Sequence, residues 1–165
     1  MLQPISDMCG QAVKNGINLI QYAPIDWLDP VKWDYHPMAN ISKLFDDANI
    51  FNSGKGWLSM PGIIRRKSLS ESSERNTQGD YVNVDLPIFI PFYNENIRTE
   101  LSKMKNLDFI LKVKFGKETY LIGDYIYPLA IKYSFGSGDN LGQNTKGVNL
   151  TFSGSMPNMA REMLT

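Results

Sequence analysis

The sequence predicts a mainly β fold of the α+β class, an antiparallel β-barrel or sandwich with one principal helix and a long exposed arm or loop. Apolar residues alternate with polar residues in four segments, as expected for strands that bury one face. A single segment repeats its apolar residues at helical spacing instead. Turn-forming residues separate the strands, which favours strands that run antiparallel to their neighbours.

The first third of the chain contains one predicted strand and an irregular segment. Residues 17–23, INLIQYA, form the strand, which Pro24 ends. Residues 24–55 are rich in aromatic residues and turn formers, and the sequence assigns them no role. Within them, ISKLFDDANIF has the spacing of a short helix. Residues 56–64 resume extended structure around a Pro-Gly turn or bulge.

Residues 65–80, RRKSLSESSERNTQGD, are predicted to form a long exposed loop or hairpin arm between two strands. This segment has a single leucine and mixes both signs of charge, so it cannot bury enough apolar surface to fold alone. Long polar segments inside compact domains are usually functional or disordered. We predict an inter-subunit arm, because mixed charges suit self-complementary contacts better than a partner of one sign. The candidate interface residues are Arg65, Arg66, Lys67, Glu71, Glu74, Arg75 and Asp80.

A long strand and the principal helix open the second half. Residues 81–91, YVNVDLPIFIP, place an apolar residue at every second position, and Pro87 indicates an edge position or a bulge. The helix is predicted over residues 97–105, with Asn94 or Asn96 as its N-cap. Glutamates lie early and lysines late in this segment, as the helix dipole favours.

Four further strands are predicted after the helix. Residues 108–123, DFILKVKFGKETYLIG, form a hairpin that turns at Gly-Lys-Glu. The next strand lies in YPLAIKYSFGSG and has Leu129, Ile131, Tyr133 and Phe135 on one side. The last strand lies in TKGVNLTFSG, and its predicted core residues are Val148, Leu150 and Phe152. Its opposite face is small and polar, with Asn149, Thr151 and Ser153.

The chain length of 165 residues indicates a single domain spanning residues 1–165. Lysine plus arginine number 17, and so do aspartate plus glutamate, which argues against a dedicated nucleic-acid binder. Cys9 is the one cysteine, so an intrachain disulfide is excluded. Neither a signal peptide nor a membrane-spanning segment is predicted, and we expect synthesis inside the cell.

The sequence predicts neither catalysis, nor a metal site, nor a cofactor. His36 is the one histidine, and one histidine with one cysteine gives too few ligands for zinc. Asp124, Asp139 and the pair Asp46-Asp47 are expected in solvated turns. An enzyme that uses two carboxylates is therefore the last of three functional hypotheses.

A second hypothesis is a soluble, non-catalytic binding module, with carbohydrate as a candidate ligand. Aromatic residues of the first third could form an exposed stacking face, pack as a satellite core or lie in an interface. We favour packing or an interface. These residues are Trp27, Trp33, Tyr35, Phe45, Phe51 and Trp57.

The order of elements over residues 81–157 resembles a group of small virion proteins encoded by phages and prophages of Bacteroidetes. The helix IRTELSKM is followed by a Phe-Ile-Leu strand in DFILKVKF, a Leu-Ile-Gly return in TYLIG and a glycine-containing loop. The pattern ends with a strand of the form Gly-x-x-hydrophobic-Thr-Phe-x-Gly, here residues 147–154. It covers about half of the chain.

The resemblance implies a first hypothesis, a ring-forming structural subunit of a phage tail or neck, tail-tube-like or of the connector type. DNA would pass through the ring as cargo, without specific binding. The polar face of the last strand, with Asn149, Thr151 and Ser153, would then meet the lumen or a subunit contact. The implied partners are copies of the chain itself, on the order of six or twelve per ring, and other tail or neck proteins. The implied location is the virion, after synthesis in the bacterial cytoplasm, with no membrane partner.

Overall fold

Two antiparallel sheets make up most of the structure, a computed structural model. It describes residues 17–34, 50–60, 69–76, 79–91, 94–116, 118–136, 147–157 and 161–163. The strands are β1 (Ile17–Pro24), β2 (Leu58–Ser59), β3 (Ser70–Asn76), β4 (Gly79–Ile90), β5 (Phe109–Phe115), β6 (Glu118–Ile122), β7 (Ala130–Gly136), β8 (Gly147–Met156) and β9 (Arg161–Met163). The helices are α1 (Pro30–Asp34) and α2 (Glu95–Met104).

The sheets form a sandwich. One has five strands in the order β2-β1-β5-β6-β9, and the other has four in the order β3-β4-β8-β7. They meet at one corner, where Phe109 and Leu129 exchange two backbone hydrogen bonds of 2.9 and 2.8 Å. The predicted mainly β, antiparallel fold with one principal helix is confirmed. Of the two predicted architectures the sandwich is correct, because the described strands do not close into a barrel.

The main core lies between the two sheets. Strands β4 and β8 bury alternate residues and pair side by side, with Leu86 opposite Phe152. The Phe152 ring lies 5.7 Å from the ring of Phe109 and 6.3 Å from that of Tyr22, both on the facing sheet. Leu150 and Phe152 are fully buried, so their predicted place in the core is confirmed.

Helix α2 begins directly after Asn94, one of the two predicted N-cap residues. The Asn94 side chain accepts a 2.8 Å hydrogen bond from the backbone N–H of Ile97, which satisfies one of the free donors of the first turn. The helix runs from residue 95 to residue 104, slightly earlier than the predicted 97–105. Its apolar side packs into the main core through Ile97, Leu101 and Met104.

A second hydrophobic cluster covers the outer face of the five-stranded sheet. Its buried members are Ala23, Leu28, Ile50, Ile110 and Leu121, with Ile25, Phe51 and Trp57 packed around them. The aromatic-rich segment therefore supplies a satellite core. The start of β5, residues 109–111, is buried on both faces as a result, although its sequence alternation predicted only one buried face.

Three local predictions can be compared with the strands. Beside Pro87 strand β4 pairs with β8 but not with β3, so this part of β4 is an edge, as predicted, and its register has no bulge. Tyr133 is half-buried and Phe135 is 40% exposed, because β7 is itself an edge strand of the sheet. The predicted short helix of ISKLFDDANIF falls mostly outside the described residues.

Candidate subunit interface

The predicted polar arm is a β-hairpin formed by β3 and the start of β4. The two strands pair from Ser70 opposite Asp85 to Asn76 opposite Gly79, with two residues between them. Glu71, Glu74 and Arg75 lie on β3, and Asp80 lies on β4. The hairpin alternative predicted for this segment is therefore the correct one. The other three candidates, Arg65, Arg66 and Lys67, lie outside the described residues.

The end of the hairpin projects beyond the strand on its other side. Strand β8 pairs with β4 only from Val82 onward, where Met156 ends β8. The last three residue pairs of the hairpin, those of residues 74–76 with residues 79–81, have no third strand beside them within the described residues. At about 3.3 Å per residue the projection is about 10 Å long. This projecting end is called the hairpin tip below.

Two side-chain contacts join the strands at the hairpin tip. The Tyr81 hydroxyl donates a 2.7 Å hydrogen bond to Glu74 Oε2. On the other face, Arg75 Nε lies 3.3 Å from Asp80 Oδ1, with side chains that are 87% and 71% exposed. Because both side chains are exposed, this ion pair contributes little to the stability of the hairpin. What the register does is to place one positive and one negative side chain opposite each other at the tip, both in contact with solvent.

The hydrogen bond to Glu74 raises the pKa of Tyr81 above its ordinary value of 10.0, with smaller contributions from desolvation and from the charge of Glu74. The phenol donates this bond only while it is protonated. The contact therefore stabilises the hairpin tip below pH 10 and is lost as the pH rises through the raised pKa.

We expect Glu74→Gln to lower the pKa of Tyr81 towards its ordinary value, because the substitution removes the carboxylate acceptor and its charge. The measurement is an NMR pH titration of the tyrosine ring carbon, with Tyr81→Phe used to assign the signal. As a control, Glu71→Gln removes a charge from the same strand without touching this pair. An unchanged Tyr81 titration in Glu74→Gln would show that the contact is absent in solution.

The outer face of the four-stranded sheet is small and polar along β8. Asn149 is exposed, Thr151 and Ser153 are half-buried, and all three point away from the core. Farther along, the Ser155 hydroxyl donates a 2.6 Å hydrogen bond to Asn83 Oδ1 on β4. That these side chains face a lumen or a subunit stays a prediction.

A loop between β6 and β7 exposes three apolar side chains that the sequence analysis did not single out. Tyr125, Ile126 and Tyr127 are 44, 71 and 42% exposed. The Asp124 carboxylate accepts hydrogen bonds of 2.8 and 2.7 Å from the backbone of Ile126 and Tyr127, which fixes the loop. The alternation of apolar and polar residues could not identify this loop. Asp124 could have indicated an ordered turn, because aspartate side chains accept hydrogen bonds from the backbone two residues on.

The rings of Trp27 and Trp57 are held by neighbouring side chains. Lys55 Nζ lies 5.0 Å from the centre of the Trp27 ring, and Lys112 Nζ lies 5.7 Å from that of Trp57. The Trp57 ring also meets Phe51 edge-on at 5.3 Å. These contacts favour packing over an open stacking face. The Trp33 side chain lies outside the described residues.

Of the carboxylates considered for catalysis, Asp124 lies among the described residues. It lies in a turn, as predicted, but it is not solvated: it is 6% exposed, and its carboxylate accepts the two backbone hydrogen bonds of the loop just described. His36, Asp46, Asp47 and Asp139 lie outside the described part of the chain. Among the described residues, no three histidine, cysteine, aspartate or glutamate side chains are grouped as metal ligands require, and no helix there is long and apolar enough to span a bilayer.

Comparisons with protein-family models, with curated proteins and with solved structures returned no match to this chain.

Proposed function

We propose that this protein is a non-catalytic structural subunit of a phage tail or neck that assembles with copies of itself into a ring. The observation that carries the proposal is the hairpin tip, a charged projection on a sandwich with a continuous core. A ring subunit needs a rigid body and an element that reaches its neighbour. The sandwich with its main core suits the first requirement, and the exposed Arg75 and Asp80 make the hairpin tip the candidate for the second.

The sequence pattern of residues 81–157 supports the same class of protein. Under this proposal the protein lies in the virion, with copies of itself and other tail or neck proteins as partners. DNA passes through the ring without specific binding, in line with the equal numbers of basic and acidic residues. The alternative of a carbohydrate-binding module depends on open aromatic faces, and the lysine contacts of Trp27 and Trp57 weigh against it.

The proposal can be tested by shortening the hairpin. Residues 74–81, the hairpin tip with its turn, are replaced by a two-residue Gly-Ser turn that joins Ser73 to Val82, which lie directly opposite each other in the hairpin. The removed residue pairs lie beyond the end of β8 and their described side chains are mostly exposed, so we expect the free energy of unfolding to fall by only about 1 kcal/mol or less. We expect incorporation into phage particles to be lost when this variant is the sole copy.

The matched control keeps the strand and its charges. Ser70→Thr with Ser72→Thr changes two exposed side chains of β3 and should be incorporated normally. Incorporation is measured by quantitative mass spectrometry of purified particles. Normal incorporation of the shortened chain would make the hairpin a tolerated insertion and would place the interface elsewhere on the sandwich.

A further inference from the structure

Strand β3 is an edge of the four-stranded sheet. It pairs with β4 on one side, and no other strand of the described residues pairs with its outer side. It has seven residues, Ser-Glu-Ser-Ser-Glu-Arg-Asn. An edge strand presents a row of backbone donors and acceptors that another extended strand can use.

The charges of β3 are self-complementary in one antiparallel register. When Ser73 lies opposite Ser73 of a second copy, all seven residues pair and Glu71 faces Arg75 of that copy. Twofold symmetry produces this pair twice. Glu74 then faces Ser72, a neutral hydroxyl that can donate to it. Every charged residue of the strand thus meets an opposite charge or a neutral donor.

Neighbouring registers lose this complementarity. A shift of one residue in one direction places Glu71 opposite Glu74 of the second copy, and symmetry repeats this like-charged pair. A shift of one residue in the opposite direction brings no oppositely charged residues together. A shift of two residues either removes all charge pairs or sets Glu74 against itself. Charges on edge strands usually discourage pairing. On β3 they select one register and oppose the like-charged ones.

We propose that β3 pairs antiparallel with β3 of a second copy, about a twofold axis at Ser73, and so joins two four-stranded sheets into one continuous sheet. On one face the charges then alternate across the junction. Asp80 of β4 lies beside Arg75 of its own chain. Arg75 in turn lies beside Glu71 of the second copy.

This contact goes beyond the proposed function and does not depend on it. A twofold contact through β3 closes on itself and joins copies in pairs, whereas a ring requires a head-to-tail contact. For that contact the hairpin tip still offers its β4 side, residues 79–81, with which no other described strand pairs. A test of β3 pairing with purified protein can therefore fail while the protein is still found in particles, and the reverse also holds.

The first test is a cysteine cross-link in the full chain with Cys9→Ser. Residues directly opposite in an antiparallel pair have Cα atoms about 4.5–5.5 Å apart, within the range of a disulfide. Ser73→Cys on the twofold axis should therefore form an intermolecular disulfide under mild oxidation, seen as a dimer on a non-reducing gel. The matched control is Ser70→Cys, because in this register the two copies of residue 70 are about 20 Å apart.

The second test uses charge reversal. Glu71→Arg alone and Arg75→Glu alone each place like charges opposite each other in the proposed pair, so each should weaken dimerisation about tenfold or more, measured by sedimentation equilibrium. A mixture of the two variants is complementary at both contacts and should recover the dimer. The control is Lys132→Glu, which makes the same charge change as Arg75→Glu but lies on β7, the opposite edge of the sheet. It should have no effect on dimerisation.

Three results would overturn the proposal. One is a wild-type chain that stays monomeric at high micromolar concentration. Another is equal cross-linking of the Ser73→Cys and Ser70→Cys chains. The third is a mixture of charge variants that dimerises no better than either variant alone.

Discussion

Phe152→Ala should lower the free energy of unfolding by about 3–5 kcal/mol, the largest effect that we expect from a single substitution. The Phe152 side chain is fully buried at the centre of the sandwich. It touches the rings of Tyr22 and Phe109, so it links the two sheets. Truncation removes apolar area and leaves a cavity between sheets that cannot collapse without moving the strands. Urea denaturation followed by circular dichroism measures the change.

The control for this prediction lies on the same strand. Asn149 is exposed on the outer face of β8, and Asn149→Ala should change the free energy of unfolding by about 0.5 kcal/mol or less. If Phe152→Ala cost less than about 1 kcal/mol, the faces of β8 would be assigned backwards, since a one-residue slip exchanges the two faces of a strand.

Gly147→Ala should destabilise the protein by about 1–3 kcal/mol through overpacking. A Cβ atom at this position would lie 2.5 Å from the carbonyl oxygen of Ile90 and 2.5 Å from the ring of Phe89. The carbonyl belongs to the neighbouring strand β4, so the strands would have to separate. The measurement is again the free energy of unfolding in urea.

Gly136 provides the matched control, because it lies opposite Gly147 in the β7–β8 register. A Cβ atom at Gly136 would meet its nearest neighbour, the Gly147 carbonyl oxygen, at 3.9 Å, an ordinary contact. Gly136→Ala should therefore be neutral or stabilising by up to about 1 kcal/mol, since alanine restricts the unfolded chain. Equal costs for both substitutions would contradict the steric explanation.

The two glycines of the pattern Gly-x-x-hydrophobic-Thr-Phe-x-Gly share a physical cause. At Gly147 the obstacle is strand β4, as described above. At Gly154, a Cβ atom would lie 2.7 Å from Leu129 Cδ2 and 2.9 Å from the Pro128 carbonyl oxygen, where the chain crosses from one sheet to the other. In this chain the two glycines thus lie at two places where β8 has no room for a side chain.

The sequence predicts the strands whose side chains alternate between core and solvent. The faces of β4 and β8 and the cap of α2 follow directly from alternation and from the capping chemistry of Asn94. Strand β3 has no apolar alternation, because its extended structure depends on pairing with β4 and not on burial. From its composition alone, a loop and a hairpin were equally good predictions for residues 65–80.

Features that depend on tertiary contacts were not predictable in the same way. The burial of Ile110 depends on Leu28 and Ile50, which a distant part of the chain brings onto the outer face of the five-stranded sheet. The exposure of Ile126 results from the turn at Asp124, although isoleucine itself indicates burial. For the candidate interface, the charges were evident in sequence, but their cross-strand positions required the register of the hairpin.

Cryo-electron microscopy of purified phage particles, combined with mass spectrometry of the same sample, tests the proposed function most directly. The proposal predicts that this protein is present in multiple copies and that a ring in the tail or neck is built from its β-sandwich. It also predicts that the hairpin tip lies at a contact between subunits. Complete, infective particles that contain none of this protein would contradict the proposal.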